Sequence, residues 1–344
     1  MKIKSHQRDD VGRDLRLAII LLAIFALAFA LHLVRTPQSL LLTIVSLMGV
    51  VLLVPIVLTA NPTLIKTLRN ASARLPVIIA AVLWAFSQLY ALGSGQWSIL
   101  IGAGSLVWMA AVVALTPNRQ AQAPCARDFL LVLLVWLPLE FGLFNIALPT
   151  VNTLINPFAL IGLFWLVYHF AVRQNFDIGY TFRLQGDDYR IIVLNFLIFF
   201  MIAVIIGVPT RLFSVSDRLP AFSDLFTRFI FIFFLIALPE ELLFRGVIYK
   251  LLVKSLTGGR WAVGKAMILS SILFGLAQSN NMLPPTGDVF LGSASALPPV
   301  WGYVLFSTVA GFIYTLVFIQ TRKISAAAVL HLLVDFVWFA FFRG

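Results

Sequence analysis

Apolar residues in this chain come in runs of near twenty, separated by short polar stretches. A helix of about 20 apolar residues is long enough to cross the hydrocarbon core of a bilayer. Eleven such runs can be marked, at 17–34, 39–59, 75–92, 96–115, 129–149, 153–172, 191–208, 226–253, 262–279, 299–321 and 324–342. A transmembrane β-barrel would instead show short segments of alternating hydrophobicity, and there are none. The pattern predicts an all-α polytopic membrane protein of about eleven transmembrane helices.

Composition agrees: of 344 residues, 61% are hydrophobic and 11% charged, against about a quarter charged in soluble domains. A formal net charge of +11 could suggest a nucleic-acid partner. Its distribution points elsewhere. With the N-terminus in the cytoplasm, all but six of the 25 Lys and Arg fall in cytoplasmic segments, which is the positive-inside pattern. The expected partner is therefore the lipid bilayer and not nucleic acid. The expected location is a multi-pass integral membrane protein of the bacterial inner membrane, with an odd number of spans putting the C-terminus outside. The first run, although it contains Ala28-Phe29-Ala30, is too long for a signal-peptide core and reads as an uncleaved anchor. The single Cys125 leaves no internal disulfide.

The first six runs form three pairs joined by very short outer turns, Arg35 to Gln38, Gly93 to Gly95 and Thr150 to Asn152. A polar stretch from Arg173 to Arg190, with Asp177, Asp187 and Asp188, then precedes the last five. The expected organisation is an N-terminal membrane region, 1–185, of about six helices with no assigned role, and a C-terminal helical bundle, 186–344, that carries the chemistry. The outer loop from Asn280 to Pro299 is rich in Pro, Gly and Ser and holds apolar residues that suit a membrane surface. His32 and His169, near run ends, read as satisfied interfacial histidines.

Four acidic residues lie inside the runs: Glu140, Glu240, Glu241 and Asp335. Ionisable groups at such positions are expensive and mark function by default. Glu241 and Arg245 are four apart and share a helix face, so they can pair. Glu240 is turned about 100° from Glu241 and needs another partner. Pro239, just before them, cannot donate to the backbone ladder and favours a kink. His331 and Asp335 are again four apart, preceded by Ala326-Ala327-Ala328, small residues that allow close helix packing. Phe274 and Gln278 repeat the spacing on a third helix.

These residues resemble the motifs of the CAAX-protease and bacteriocin-processing (CPBP, or Abi) family of intramembrane proteases. Its Glu-Glu-x-x-x-Arg motif corresponds to Glu240, Glu241 and Arg245, flanked by Pro239 and Gly246. Its His-x-x-x-Asn/Asp motif corresponds to His331 and Asp335. Its Phe-x-x-x-His motif keeps Phe274 but has Gln278 in the histidine's place. The resemblance covers roughly 226–342. It implies an intramembrane endopeptidase acting on a membrane protein or lipidated peptide. Glu240 would be the base on water, Glu241 would be held by Arg245, and His331 with Asp335 would support the oxyanion or the water. The amide of Gln278 can orient a water but cannot accept its proton.

Other readings stay open. Glu241 with Arg245 can be an architectural ion pair. His331 with Asp335 can be interhelical glue. Glu140 is either a protonated structural carboxyl or part of the same cavity. No cofactor is expected; zinc is the open alternative, weakened because a hydrolytic zinc site usually has three ligands including histidine. Against the protease stand a catalytically impaired scaffold or regulator of the same fold, suggested by Gln278, and, more distantly, a transporter using Glu140, Glu240 and Asp335.

Overall fold

The computed structural model describes residues 3–35, 40–72, 74–116, 123–144, 156–207, 214–215, 220–256, 261–279 and 299–343. Within them the chain forms α1 (Ile3–Arg35), α2 (Leu40–Val51), α3 (Leu53–Leu58), α4 (Pro62–Asn70), α5 (Leu75–Gly93), α6 (Leu100–Leu115) and α7 (Ala126–Glu140). There follow α8 (Pro157–Arg173), α9 (Gly186–Gly207), α10 (Phe222–Ser255), α11 (Ala262–Ala277), α12 (Pro299–Thr321) and α13 (Ile324–Phe341). A two-residue antiparallel pairing of Ser214–Val215 with Phe342–Arg343 is the exception to an all-helical fold.

Each of the eleven apolar runs contains helix, and the molecule is an integral membrane protein. The expected count of eleven spans is not reached by length. Six described helices are long and apolar enough to cross a membrane, or seven if Ser46–Leu58 and Pro62–Asn70, bent by 93°, make one span. The helices Leu100–Leu115, Pro157–Arg173 and Ala262–Ala277 are apolar but shorter. The run at 129–149 shows why. Its helix stops at Glu140 because Gly142 takes a φ of +68°, a left-handed conformation that suits glycine. The amide of Gly142 donates to the Leu139 carbonyl at 3.0 Å and that of Leu143 to Pro138 at 2.8 Å. This Schellman arrangement closes the helix end, while an apolar count runs straight through it. The turns at 36–38 and 150–152 and the loop at 280–298 lie outside the described residues.

The stretch at 174–185 is not a free polar linker. Phe176, Ile178, Tyr180 and Phe182 are buried in it. Gly179, at φ +71°, accepts a hydrogen bond from Ile324 N–H at 2.9 Å. A Cβ there would lie 2.5 Å from the Arg322 carbonyl oxygen. Arg183 pairs with Asp14 at 2.6 Å and Lys323 with Asp188 at 2.5 Å. The segment thus ties α1 and α9 to the turn before α13. At the opposite end of α1, Phe25 packs on Phe231 and Phe234 of α10.

α10 positions the site. Its α-helical turn Leu238–Glu241 lies between two π-helical stretches, Ile232–Ala237 and Leu242–Tyr249. The Pro239 ring would clash with the carbonyl four residues earlier in a regular helix. Widening the preceding turn relieves that clash, and such π-segments frequently occur at functional sites. α11 packs against α10, and α12 packs against α11 at close range. A Cβ on Gly275 would lie 2.6 Å from the Val304 carbonyl oxygen, so this helix contact needs a residue without a side chain.

Candidate active site

Three helices bring the six candidate residues together. On α10, Arg245 and Glu241 are fully buried, and Arg245 Nη1 donates to Glu241 Oε1 at 2.9 Å. His331 Nδ1, on α13, lies 3.0 Å from that same oxygen. His331 Nε2 faces Asp335 Oδ2 at 3.3 Å and, more distantly, Glu240 Oε2 at 3.9 Å. From α11, Gln278 Nε2 donates to Glu240 Oε2 at 3.0 Å. Glu240 and Glu241 thus face opposite nitrogens of His331 and otherwise differ in partner, Gln278 for Glu240 and Arg245 for Glu241, in keeping with the 100° turn between them. The second oxygen of Glu241 is buried with no hydrogen-bond partner among the described residues.

Sequence reading missed the contribution of α12. Arg245 Nη2 donates to the Gly311 carbonyl at 2.8 Å and its Nε to Thr315 Oγ1 at 3.3 Å. Tyr314 stacks on the His331 ring at 4.7 Å between centroids. Phe274 meets His331 edge-on and lies under the guanidinium at 4.5 Å. A buried arginine is tolerated when its donors are satisfied and its face is covered, and α12 with Phe274 does both. Gly311 has to be small, since a Cβ there would lie 2.9 Å from the Phe274 ring. The available signal was Gly311, Tyr314 and Thr315, at i, i+3 and i+4 on one face of an otherwise apolar helix.

Glu240, Gln278, His331 and Asp335 all line one cavity of about 330 Å³, whose walls include eight phenylalanines. Glu240 and Asp335 are partly open to it, with side-chain exposures of 28% and 33%, whereas His331 shows 4%. Glu140 does not line this cavity. It lines a neighbouring one of about 350 Å³, to which Glu240 and Gln278 also belong.

The residues fit a zinc ion poorly. His331 is the one imidazole lining either cavity, and both its nitrogens already face carboxylates. Among the described residues no group of three or more His, Cys, Asp or Glu has the geometry to hold a metal ion.

Comparison with known families meets this geometry directly. Residues 222–337 match the Rce1-like family of type II CAAX prenyl endopeptidases. The matched segment runs from the start of α10 nearly to the end of α13 and holds all six site residues. It bears out the resemblance read from the motifs, and at a coarse level it supports protease chemistry. Neither a curated protein nor a solved structure matches the chain. α1 to α9 lie outside the matched segment.

Proposed function

We propose that the protein is an intramembrane endopeptidase that hydrolyses a peptide bond in a lipidated or membrane-associated substrate, with Glu240 as the base. The observation that carries this reading is the position of Glu240. It stands on the wall of an aromatic cavity beside His331 and Asp335, and its nearest donor is a neutral amide. In the proposed reaction the Glu240 carboxylate takes a proton from water while the water oxygen attacks the peptide carbonyl carbon. His331 is held through Nδ1 by Glu241, and its Nε2–H, which faces Asp335 at the longer distance of 3.3 Å, turns from Asp335 to the resulting oxyanion; donors held in place in this way are a large part of acyl-transfer catalysis. When the carbon–nitrogen bond breaks, Glu240 returns the proton to the leaving amine. Gln278 fixes one Glu240 oxygen and leaves the other for the water. The aromatic walls suit an apolar chain such as a prenyl group. The N-terminus is cytoplasmic in this reading, the membrane is the bacterial inner membrane, and no step passes through a metal.

The test is cleavage of a fluorogenic farnesylated peptide by the purified full chain in detergent. Wild type should cleave and Glu240→Ala should not; activity that survives the substitution removes Glu240 as the base. A second reading has its own support, in that an amide stands where the family motif has a histidine. On it, the chain is a non-catalytic scaffold of the same fold. Measurable turnover by the wild-type chain refutes it.

A further inference from the structure

Glu240 and Gln278 are the two residues common to both cavities. Joined by a hydrogen bond of 3.0 Å, they form the partition between them. On one side is the aromatic cavity with His331 and Asp335. On the other, Trp136 and Glu140 come from α7 and Ala159 and Leu163 from α8. Glu140 is held in place there: Trp136 Nε1 donates to its Oε2 at 3.0 Å, and the Trp136 ring packs edge-on against Phe244 of α10.

An apolar substrate chain filling the aromatic cavity displaces water from that face of Glu240. Hydrolysis still consumes one water per turnover, and the partition has a second face. The second cavity, about 350 Å³ and partly open, is roomy enough to hold water. Ordered buried water needs two to four polar partners. The carboxyls of Glu140 and Glu240 and the amide of Gln278 supply them, against walls that are otherwise apolar.

We infer that the second cavity is the water reservoir of the site, and that Glu140 is a positioning residue that holds the nucleophilic water against Glu240 from the side opposite the substrate. The inference rests on the reading of Glu240 as base. It gives the region before residue 186 a part in the site, since Glu140 lies outside the segment that matches the protease family.

Two measurements on the full-length protein test it. The first does not depend on activity. In a Cys125→Ser background, Ala159→Cys on the wall of the second cavity is compared with Leu130→Cys, whose side faces outward from α7 with 53% exposure. A small charged thiol reagent should modify the cavity position at least about tenfold faster, because thiolate forms in water and not in lipid. Equal or slower modification means the cavity is dry and overturns the inference. The second compares Glu140→Leu with Glu140→Gln on the farnesylated reporter. Glu140→Leu should lower kcat about 10- to 100-fold with KM changed less than about twofold, and Glu140→Gln, which still holds water, should recover most of it. An unchanged kcat in Glu140→Leu also overturns the inference. If Glu140→Leu does not fold, the labelling result decides. Should Glu240→Ala remain active, the base assignment fails while the labelling still reports on the cavity, so the two failures are distinguishable.

Discussion

Two buried histidines invite comparison, His331 in the C-terminal bundle and His169 at the end of α8. Both have a ring nitrogen 3.0 Å from a carboxylate oxygen and both are nearly inaccessible to solvent. Around His169, which is fully buried and not interfacial as its place near a run end suggested, the polar groups face one another with no cavity between them, although His169 Nδ1 and Gln174 Oε1 have no hydrogen-bond partner among the described residues. Asp128 receives His169 and Gln174, and its other oxygen accepts the Cys125 N–H at 2.9 Å at the start of α7. Around His331 a cavity opens beside them. Three carboxyl groups approach it from two sides, and two of them are partly exposed to a cavity. A buried histidine–carboxylate pair is thus architecture when all its partners are internal. It becomes a candidate site when charge is left facing a space that a substrate can enter.

The sharpest way to break this contrast is at Glu240. Glu240→Ala should lower turnover of the farnesylated reporter by about 10³-fold or more, at the upper end of what one acid–base group contributes, with the thermal midpoint in detergent nearly unchanged. The buried pair behind it should show the opposite balance. Glu241→Ala leaves Arg245 buried without its carboxylate and should destabilise the protein by about 3–5 kcal/mol, read as a lower unfolding midpoint. The double variant Glu241→Leu/Arg245→Met should recover much of that stability and still not cleave. Next in size is Gln278→His. An imidazole that can accept the water's proton should raise kcat by about tenfold or more over glutamine; an unchanged rate would show that Gln278 serves only to orient Glu240.

The smallest effect belongs to the His169 cluster. His169→Ala should leave kcat unaltered and cost about 1–3 kcal/mol of stability, the range for leaving a buried polar partner unsatisfied. Asp128 lies just before its span. Burial pushes its carboxyl up, but the hydrogen bonds from His169, Cys125 and Gln174 outweigh burial and hold it below the ordinary carboxylate value of 3.8. A depressed value means the unfolded chain binds the proton first. Its stabilisation is therefore full above about pH 4 and is lost as pH falls through the lowered value. Asp128→Asn should flatten that acid limb of a melting-temperature profile. A loss of turnover in either variant would erase the distinction between the two histidines.

The site residues were legible in the sequence because each breaks a rule. Glu240, Glu241, Arg245, His331 and Asp335 are ionisable where lipid or packed helix should be, and their spacing of four fixes which pairs share a face. The supporting residues were not legible. Tyr314 and Thr315 are ordinary in an apolar helix, and nothing local says that α12 lies against Arg245. Glu140 stood out as an intramembrane carboxyl, but its cavity depends on how α7 and α8 meet α10. Helix length was misread for a local reason, at Gly142, where one left-handed residue ends a run that hydropathy would continue.

By itself the sequence determined the class, an all-helical integral membrane protein, because backbone groups in lipid must be satisfied within the segment and hydropathy records that requirement. It also determined the ion pair of Glu241 with Arg245, since four residues along one helix fix their proximity. Only the tertiary structure decided which carboxylate faces a cavity, which neighbour Gln278 holds, and that Glu140 shares a wall with Glu240. These are distances between helices far apart in the chain, set by the packing of small residues such as Gly275 and Gly311 and of the phenylalanines around them, and no periodicity within one helix encodes them.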